Sequence, residues 1–395
     1  MASGAEAAGA SDASIAALRD RAAGAVLGCL VGDALGDEDV TCAALSIPPP
    51  PSPALCLCRY YDLGELRRLF GWVDGYVKSP PGRYHDALQP GDLSQTGQVC
   101  ELLLRSLVAR RRYDPADFCS RLDALLAGLD GTPYGAGDYT DVAMRDVWRG
   151  RKTEGKQWGE AGLGSWSDTA EAAIRSVMLA ARYASSLGDV ARLGMANTRL
   201  THLDPVVAGQ SMSFAVLVAA CIQGEPIDAD LGMKLRQLAK KGELPVGHAV
   251  LADERGQEGE QTVDPTETVP FPDALLQVSW VVQAARDPDI RIPPHKVSLV
   301  YGMACSIHFL LPAAYYLATV FEEEPGQERF EKAVLAAINA GGNNMARAAL
   351  TGALVGSMVG LSGIPQRFID GLTRGDELRQ LALQLAEQAF PEAEP

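Results

Sequence analysis

Four glycines recur at every fourth position near the start of the chain, and this spacing constrains the fold more than any other feature. Gly24, Gly28, Gly32 and Gly36 lie in the stretch SIAALRDRAAGAVLGCLVGDALG, which spans residues 14 to 36. Residues four apart share one face of a helix, so the glycines form a smooth stripe that another backbone can approach closely. Because glycine weakens an isolated helix, we predict a central helix that a partner helix holds along this face.

The remaining sequence is also helical in pattern and predicts an all-α fold. Apolar residues recur at helical spacing along most of the chain, and no convincing run alternates as a strand would. We predict a single all-α domain over 14–390, with a disordered tail over 1–13 before it. A Pro-rich loop is expected at 41–58 and an acidic loop at 253–270. Towards the C-terminus we expect one helix from 295 to 311 and another that starts at Pro312.

The charge of the chain argues against two classes of partner. Its 50 acidic and 35 basic residues give a formal net charge of −15, which disfavours nucleic acid and anionic membranes. The densest basic run is RSLVARRR, at residues 105 to 112. We interpret it as a solvated helix end, because cations suit the C-terminus of a helix. No nucleic-acid partner and no membrane partner are therefore expected.

The eight cysteines do not form a C-x-x-C pair, and most of them lie in apolar helical runs. Free thiols in such runs behave as small buried hydrophobes. Cys56 and Cys58 lie in the Pro-rich loop, and the sequence leaves open whether they bind a metal, oxidise or do neither. We expect a cytoplasmic protein in a reducing compartment. An organelle-targeting role for the Ala-rich N-terminus stays open as an alternative.

Two stretches in the first quarter of the chain place acids and hydroxyls close to glycines. Asp33 lies on the glycine-striped helix, where it either bonds a neighbouring helix end or orients a site there. Asp92, Ser94, Gln95 and Thr96 lie in GDLSQTGQ, just before an amphipathic helix. An N-cap at Asp92 or Ser94 explains this stretch without any function, and a binding site is the alternative.

A third stretch, INAGGNNMARAAL, lies near the C-terminus and has the same character. Gly341 and Gly342 precede Asn343 and Asn344, and Arg347 follows one turn later. Helix starts expose unpaired N–H groups, and glycine lets a ligand come close. A tight helix junction with an Asn cap is the alternative. We expect the three stretches to meet at one end of a helical bundle.

Together these stretches resemble the ADP-ribosylglycohydrolase family. The resemblance rests on GCLVGDALG, GDLSQTGQ, LTHLDP and INAGGNNMARAALTGALVG, which occur in this order between Ala17 and Gly371. It implies an all-α orthogonal helical bundle. It also implies enzymes that cleave ADP-ribose from modified side chains or related molecules with a pair of magnesium ions. RYYDLGELRRLF and GGNNMARAALTGALVG are most similar to the subgroup of J-crystallins and selenoprotein J, in which the lens members are structural.

The sequence departs from the family at the magnesium ligands. The family run Thr-Asp-Asp-Thr matches Ser94, Gln95, Thr96 and Gly97, and Gly-Gly-Asp-Thr-Asp-Thr matches the run that starts at Gly341. The four aspartates of these runs are replaced by Gln95, Thr96, Asn343 and Met345. Magnesium prefers anionic oxygen ligands, so the resemblance implies lost metal sites, and we expect neither a metal ligand nor a cofactor here.

Three hypotheses follow from the resemblance. The first is a degenerate hydrolase that keeps a pocket for ADP-ribose or a related nucleotide. The resemblance places substrate contacts at Ser94, Gln95, Thr96, Gly341, Gly342, Asn343, Asn344 and Arg347. The second is an active ADP-ribosyl hydrolase with a different or reduced metal site, in which Asp33 or Asp92 acts as the general base. The third is a structural, crystallin-like protein without a small ligand.

Overall fold

The structure is a computed structural model, and it describes most of the chain. The described residues are 3–36, 63–78, 87–135, 139–228, 231, 238, 241–242 and 273–392, with side chains from residue 14 onward. The predicted Pro-rich loop at 41–58, with Cys56 and Cys58, lies outside them, and so does the acidic loop at 253–270. Among the described cysteines, Cys29, Cys100, Cys119 and Cys221 are buried free thiols, as their apolar runs predict.

Fifteen α-helices make up the described fold, which confirms the all-α prediction. The first eight are α1 (Ser3–Gly36), α2 (Leu63–Phe70), α3 (Gln95–Arg110), α4 (Pro115–Ala127), α5 (Val142–Trp148), α6 (Glu171–Arg182), α7 (Leu187–Thr198) and α8 (Pro205–Ile222). The others are α9 (Asp273–Arg286), α10 (Val297–Tyr301), α11 (Ile307–Val320), α12 (Gly326–Asn339), α13 (Asn344–Val359), α14 (Gln366–Gly371) and α15 (Gly375–Ala389). Over the described ranges, β-pairing is limited to the isolated bridges Ser165–His202 and Thr169–Ser306.

The glycine stripe of α1 packs against α13, and the two helices are antiparallel. A Cβ atom built on Gly28 would lie 2.2 Å from the carbonyl oxygen of Gly352, and one on Gly24 would lie 2.4 Å from that of Gly356. Residues 22 to 35 of α1 are fully buried. The prediction of a central helix with a close partner is therefore confirmed. The partner contributes small residues at the same four-residue spacing, and we call this contact the glycine seam.

The N-terminal end of α1 differs from the prediction. The helix begins at Ser3, whereas a disordered tail was expected over 1–13 and a helix start at Ser14. The segment GAEAAGA is rich in alanine, the residue with the highest helix propensity, and nothing in it stops a helix.

The helix boundary expected before Pro312 is wrong. Pro312 lies inside α11, which starts at Ile307, and the chain breaks earlier, at Gly302, where φ is +119°. Proline disturbs only the turn before it, and near a helix start that turn has few bonds to lose. The break frees the carbonyl of Met303, which accepts a hydrogen bond from the N–H of Asn343 at 2.9 Å.

Helix α8 is long and apolar enough to cross a membrane by length and composition alone. Its 18 residues have a mean hydropathy of 1.8. However, 89% of it is buried inside the protein. It packs as a core helix against α6 and α7.

Candidate functional site

Asp33 connects the last turn of α1 to the start of α3. Its carboxylate accepts hydrogen bonds from the backbone N–H of Ser94 at 2.9 Å and from the Ser94 hydroxyl at 2.7 Å. Ser94 is the N-cap of α3, and its Oγ also accepts a bond from the N–H of Gly97. A Cβ on Gly97 would lie 2.1 Å from Oδ2 of Asp33, so only glycine fits here. Because Asp33 is fully buried and bonds the N-cap of α3, its carboxylate joins α1 to α3.

Gln95 connects the start of α3 to the start of α5. Its amide nitrogen donates to Oγ1 of Thr140 at 3.2 Å, and its amide oxygen accepts from the N–H of Asp141 at 3.1 Å. Both hydrogen-bonding ends of this buried amide are therefore used within the protein. Thr96 follows in the first turn of α3 and is 5% exposed.

The Gly341–Gly342 turn leads directly into α13. Both glycines have positive φ, +67° and +62°, which L side chains rarely adopt. A Cβ on Gly342 would also lie 2.4 Å from the carbonyl oxygen of Met303. Asn343 caps α13 by accepting a bond from the N–H of Ala346 at 3.2 Å. Asn344 is half-buried beside it.

The side chain of Arg347 binds backbone carbonyls beside the Gly341–Gly342 turn. It is fully buried, and its guanidinium donates to the carbonyls of Ala337 and Gly341. Its Nη1 has no hydrogen-bond partner among the described residues. Burial lowers the pKa of Arg347 to about 9. The side chain therefore stabilises the turn and does not point at solvent.

Contacts between neighbouring helix starts close into a ring, which we call the helix-start ring. Gly36 lies against Met345, since a Cβ on Gly36 would be 2.3 Å from its Cα, and Asp33 is one turn away on the same helix. The starts of α3, α5, α6, α11 and α13 all take part. The circuit passes through Asp33–Ser94, Gln95–Asp141, Asp168–Ile307, Met303–Asn343 and Met345–Gly36, and Glu171 lies near enough to Asp141 for its charge to act on that acid. The three stretches singled out from the sequence thus meet at one end of α1.

Asp141 and Glu171 supply a pair of largely buried acids in this ring. Burial and the nearby charge of Glu171 raise the pKa of Asp141 to about 7. Burial opposes ionisation of Glu171 as well, but the nearby imidazole of His202 lowers its pKa. The Nε2 of His202 lies 3.7 Å from Oε2 of Glu171, and its Nδ1 is 2.9 Å from the hydroxyl of Thr201. Asp141 is therefore the acid in the ring best suited to exchange a proton near neutral pH.

Asp92 lies beside the ring and contacts a different part of the molecule. Its carboxylate accepts bonds from the N–H of Gln89 at 2.9 Å and from the hydroxyl of Thr373 at 2.7 Å. The N–H of Thr373 in turn donates to the carbonyl of Gly91. Asp92 therefore fastens the loop before α3 to the segment between α14 and α15.

Asp141 and Glu171 were not among the residues predicted from the sequence, and His202 lies within the LTHLDP motif. A signal for the two acids was present. Asp141 is the N-cap of α5, and Glu171 is in the first turn of α6, so both are acids at helix starts, as Asp92 and Ser94 suggested for α3. Across the described residues, no group of three or more His, Cys, Asp or Glu side chains is arranged to hold a metal ion.

Comparison with known proteins gives consistent results. The sequence model of the ADP-ribosylglycohydrolase family matches residues 14–394. An uncharacterized protein of Archaeoglobus fulgidus is 24% identical over 362 residues, which cover 92% of this chain and 94% of that protein. A solved structure titled ADP-ribosylglycohydrolase-related protein complex shares the fold with a TM-score of 0.56. The match has 20% identity and covers 94% of this chain and 99% of that one.

Proposed function

Because the chain belongs to the ADP-ribosylglycohydrolase family, we propose that it binds ADP-ribose or a related nucleotide at the helix-start ring without the two-magnesium hydrolysis of the family. The proposal rests on how the side-chain amides at the family's ligand positions are hydrogen-bonded. The oxygen of Gln95 accepts from the N–H of Asp141, and that of Asn343 accepts from the N–H of Ala346.

The residues at these positions do not fit a pair of magnesium ions. Magnesium requires near-octahedral oxygen ligands and is usually bound through carboxylates. Gln95, Thr96 and Asn343 carry no charge, and the thioether of Met345 is a poor ligand for a hard ion. Asp33 is the nearest carboxylate on α1, and both of its oxygens bond Ser94. We therefore derive no catalytic step through a metal.

The ring retains features that suit a nucleotide diphosphate. The N-terminal ends of five helices meet there, and each such end carries partial positive charge. At the starts of α3 and α13, the aspartates of the family are replaced by the uncharged residues Gln95, Thr96, Asn343 and Met345. Asn344 and Met345 are half-buried at the edge of the ring, so they are accessible to a ligand.

Calorimetric titration with ADP-ribose tests the proposal. We expect binding of equal affinity in magnesium and in EDTA, and binding about tenfold weaker in Asn344→Leu, which removes polar contacts at the ring edge. Arg192→Gln is the control, since Arg192 lies on the surface of α7 and pairs with Asp189. Binding that requires magnesium would contradict the proposal. If ADP-ribose does not bind in either condition, the crystallin-like structural role is favoured.

A second candidate function is hydrolysis by protein acids without a metal pair. The raised pKa of Asp141, about 7, is the observation that favours it, because a general base works best near the ambient pH. Release of ADP-ribose from an ADP-ribosylated peptide in EDTA would support this function. The activity should then be lost in Asp141→Asn, which removes the candidate base, and retained in Asp92→Asn.

A further inference from the structure

A cavity of about 580 Å³ lies at the opposite end of α3 from the helix-start ring. It is bounded by the C-terminal ends of α3 and α6 and by α15. Its lining includes Val108, Arg111, Arg182, Glu387, Gln388 and Pro391. Since α3 has 16 residues, the cavity and the ring are separated by about 24 Å along the helix. We call this cavity the arginine pocket.

Arg111 adopts a backbone conformation that arginine rarely takes. It follows the last residue of α3 in the left-handed region, with φ +57° and ψ +13°, where glycine is usual. Arg374 is the other non-glycine residue with positive φ in the described ranges. Arg374 makes a bidentate ion pair with the buried Glu101, at 2.7 and 2.6 Å, which accounts for its position. No ion pair of this kind accounts for Arg111 within the described part of the chain.

Arg182 lies next to Arg111 and shares its lack of a counter-ion. Its Nη2 donates to the carbonyl oxygen of Arg111 at 2.6 Å, while its Nε is buried without a hydrogen-bond partner. Burial and, to a smaller degree, the charge of Arg111 lower the pKa of Arg182. Among the described residues, neither guanidinium pairs with a carboxylate. Two positive side chains thus line the same cavity, an arrangement that favours a bound anion.

Other arginines of the same basic run do form ion pairs. Arg110, one residue before Arg111, pairs with Asp114 at 3.0 Å, and Arg105 pairs with Glu101 and Glu377. The basic run at 105–112 is therefore divided. Its earlier members support the fold through ion pairs, whereas Arg111 faces the pocket.

We propose that the arginine pocket binds the phosphate group of a small phosphorylated molecule. Two guanidinium groups at one cavity present several N–H donors in the fork geometry that matches phosphate oxygens. The pocket has two positive side chains and one negative side chain, Glu387, in a protein whose net charge is −15. It therefore attracts anions locally, although the molecule as a whole repels them. Its volume suits a small ligand.

Titration with inorganic phosphate at constant ionic strength tests this assignment. We expect phosphate and a sugar phosphate to bind by calorimetry and to raise the melting temperature, and we expect acetate at the same concentration to do neither. Arg111→Gln and Arg182→Gln should each weaken phosphate binding about tenfold. Arg112→Gln is the matched control, because this exposed neighbour carries the same charge but does not line the pocket.

Arg111→Gly separates binding from a purely structural role. Glycine relieves the left-handed backbone, so this variant should melt at a higher temperature than the wild type without phosphate and lose the phosphate response. The proposal is overturned if the wild type shows no phosphate response or if acetate matches phosphate. An equal loss in Arg112→Gln would also overturn it, since the effect would then be one of general surface charge.

Discussion

The glycine seam and the helix-start ring lie on the same pair of helices, yet they depend on different physics. Along the seam, α1 and α13 touch backbone to backbone, and a single methyl group at Gly28 would overlap the carbonyl of Gly352. At the ring, the same helices are joined to others by a few hydrogen bonds, such as the two between Asp33 and Ser94. The seam requires small residues whatever the activity, whereas the ring accepts a change of chemistry from acids to amides. Membership of the family therefore requires the seam, and it is compatible with the metal-free ring that we propose.

The seam should be the part most sensitive to mutation. Gly28→Leu places a side chain against backbone atoms that cannot move aside, so we expect it to lower the free energy of unfolding by at least about 3 kcal/mol. Ala16→Leu is the control, because Ala16 is exposed on the same helix. Chemical denaturation of both variants gives the measurement. Equal stability of the two would show that the helices are further apart than described.

At the ring, the two candidate catalytic acids should differ in their effect on stability. Asp33→Asn disturbs a fully buried carboxylate with two bonds to Ser94, so we expect a loss of about 2 kcal/mol. Asp92→Asn changes a half-buried side chain and should cost less than about 1 kcal/mol. Urea denaturation compares them. If Asp92→Asn proves the more damaging, Asp33 is not the joint between α1 and α3.

The acids of the ring predict a pH dependence that the seam lacks. The pKa of Asp141 is about 7 in the folded protein and near 3.8 in the unfolded chain. Between these values the unfolded chain releases its proton first, so the folded state loses relative stability as pH rises from about 4 to 7. Asp141→Asn keeps a side chain that can cap α5, but it removes the group that takes up and releases the proton. We expect it to flatten this fall in the free energy of unfolding, as measured by denaturation at several pH values. An unchanged pH profile would contradict the raised pKa.

The smallest expected effect is that of magnesium. The donor set of the ring lacks charged ligands at the family positions, so millimolar magnesium should not raise the melting temperature. Gln95→Asp combined with Asn343→Asp tests whether the geometry survives, because restored acids should produce a magnesium response. A clear response in the wild type that disappears in Asp92→Asn would restore a metal-dependent hydrolase.

The sequence predicted the seam better than the ring for a physical reason. A spacing of four residues in Gly24, Gly28, Gly32 and Gly36 already contains the geometry of one helix face, so a close partner followed directly. The ring depends on which helix starts meet in space. The motifs predicted that the helix starts at Ser94 and Asn343 meet. Asp141 reaches this place through its bond to Gln95, and Glu171 acts on Asp141 through its charge, although these segments are far apart in sequence. No local pattern specifies such contacts.

The break at Gly302 is a second feature that a distant contact determines and that local sequence did not predict. Proline is the stronger local signal, and it pointed to a boundary at Pro312. The chain instead breaks where Met303 must bond Asn343, some forty residues away. Arg347 is a similar case, because its position in the motif suggested a ligand contact. In the fold it is buried against the carbonyls of Ala337 and Gly341.

The glycine seam also determines how the candidate site can move. Backbones in direct contact cannot slide past each other without overlap, so α1 and α13 act as one rigid strut that keeps Asp33 and Asn343 at a fixed separation. The far side of the ring has no such constraint, since α3 and α5 are joined there through the amide of Gln95. If the helix-start ring opens to admit a ligand, α5 and its neighbours must therefore move, while α1 and α13 stay in place.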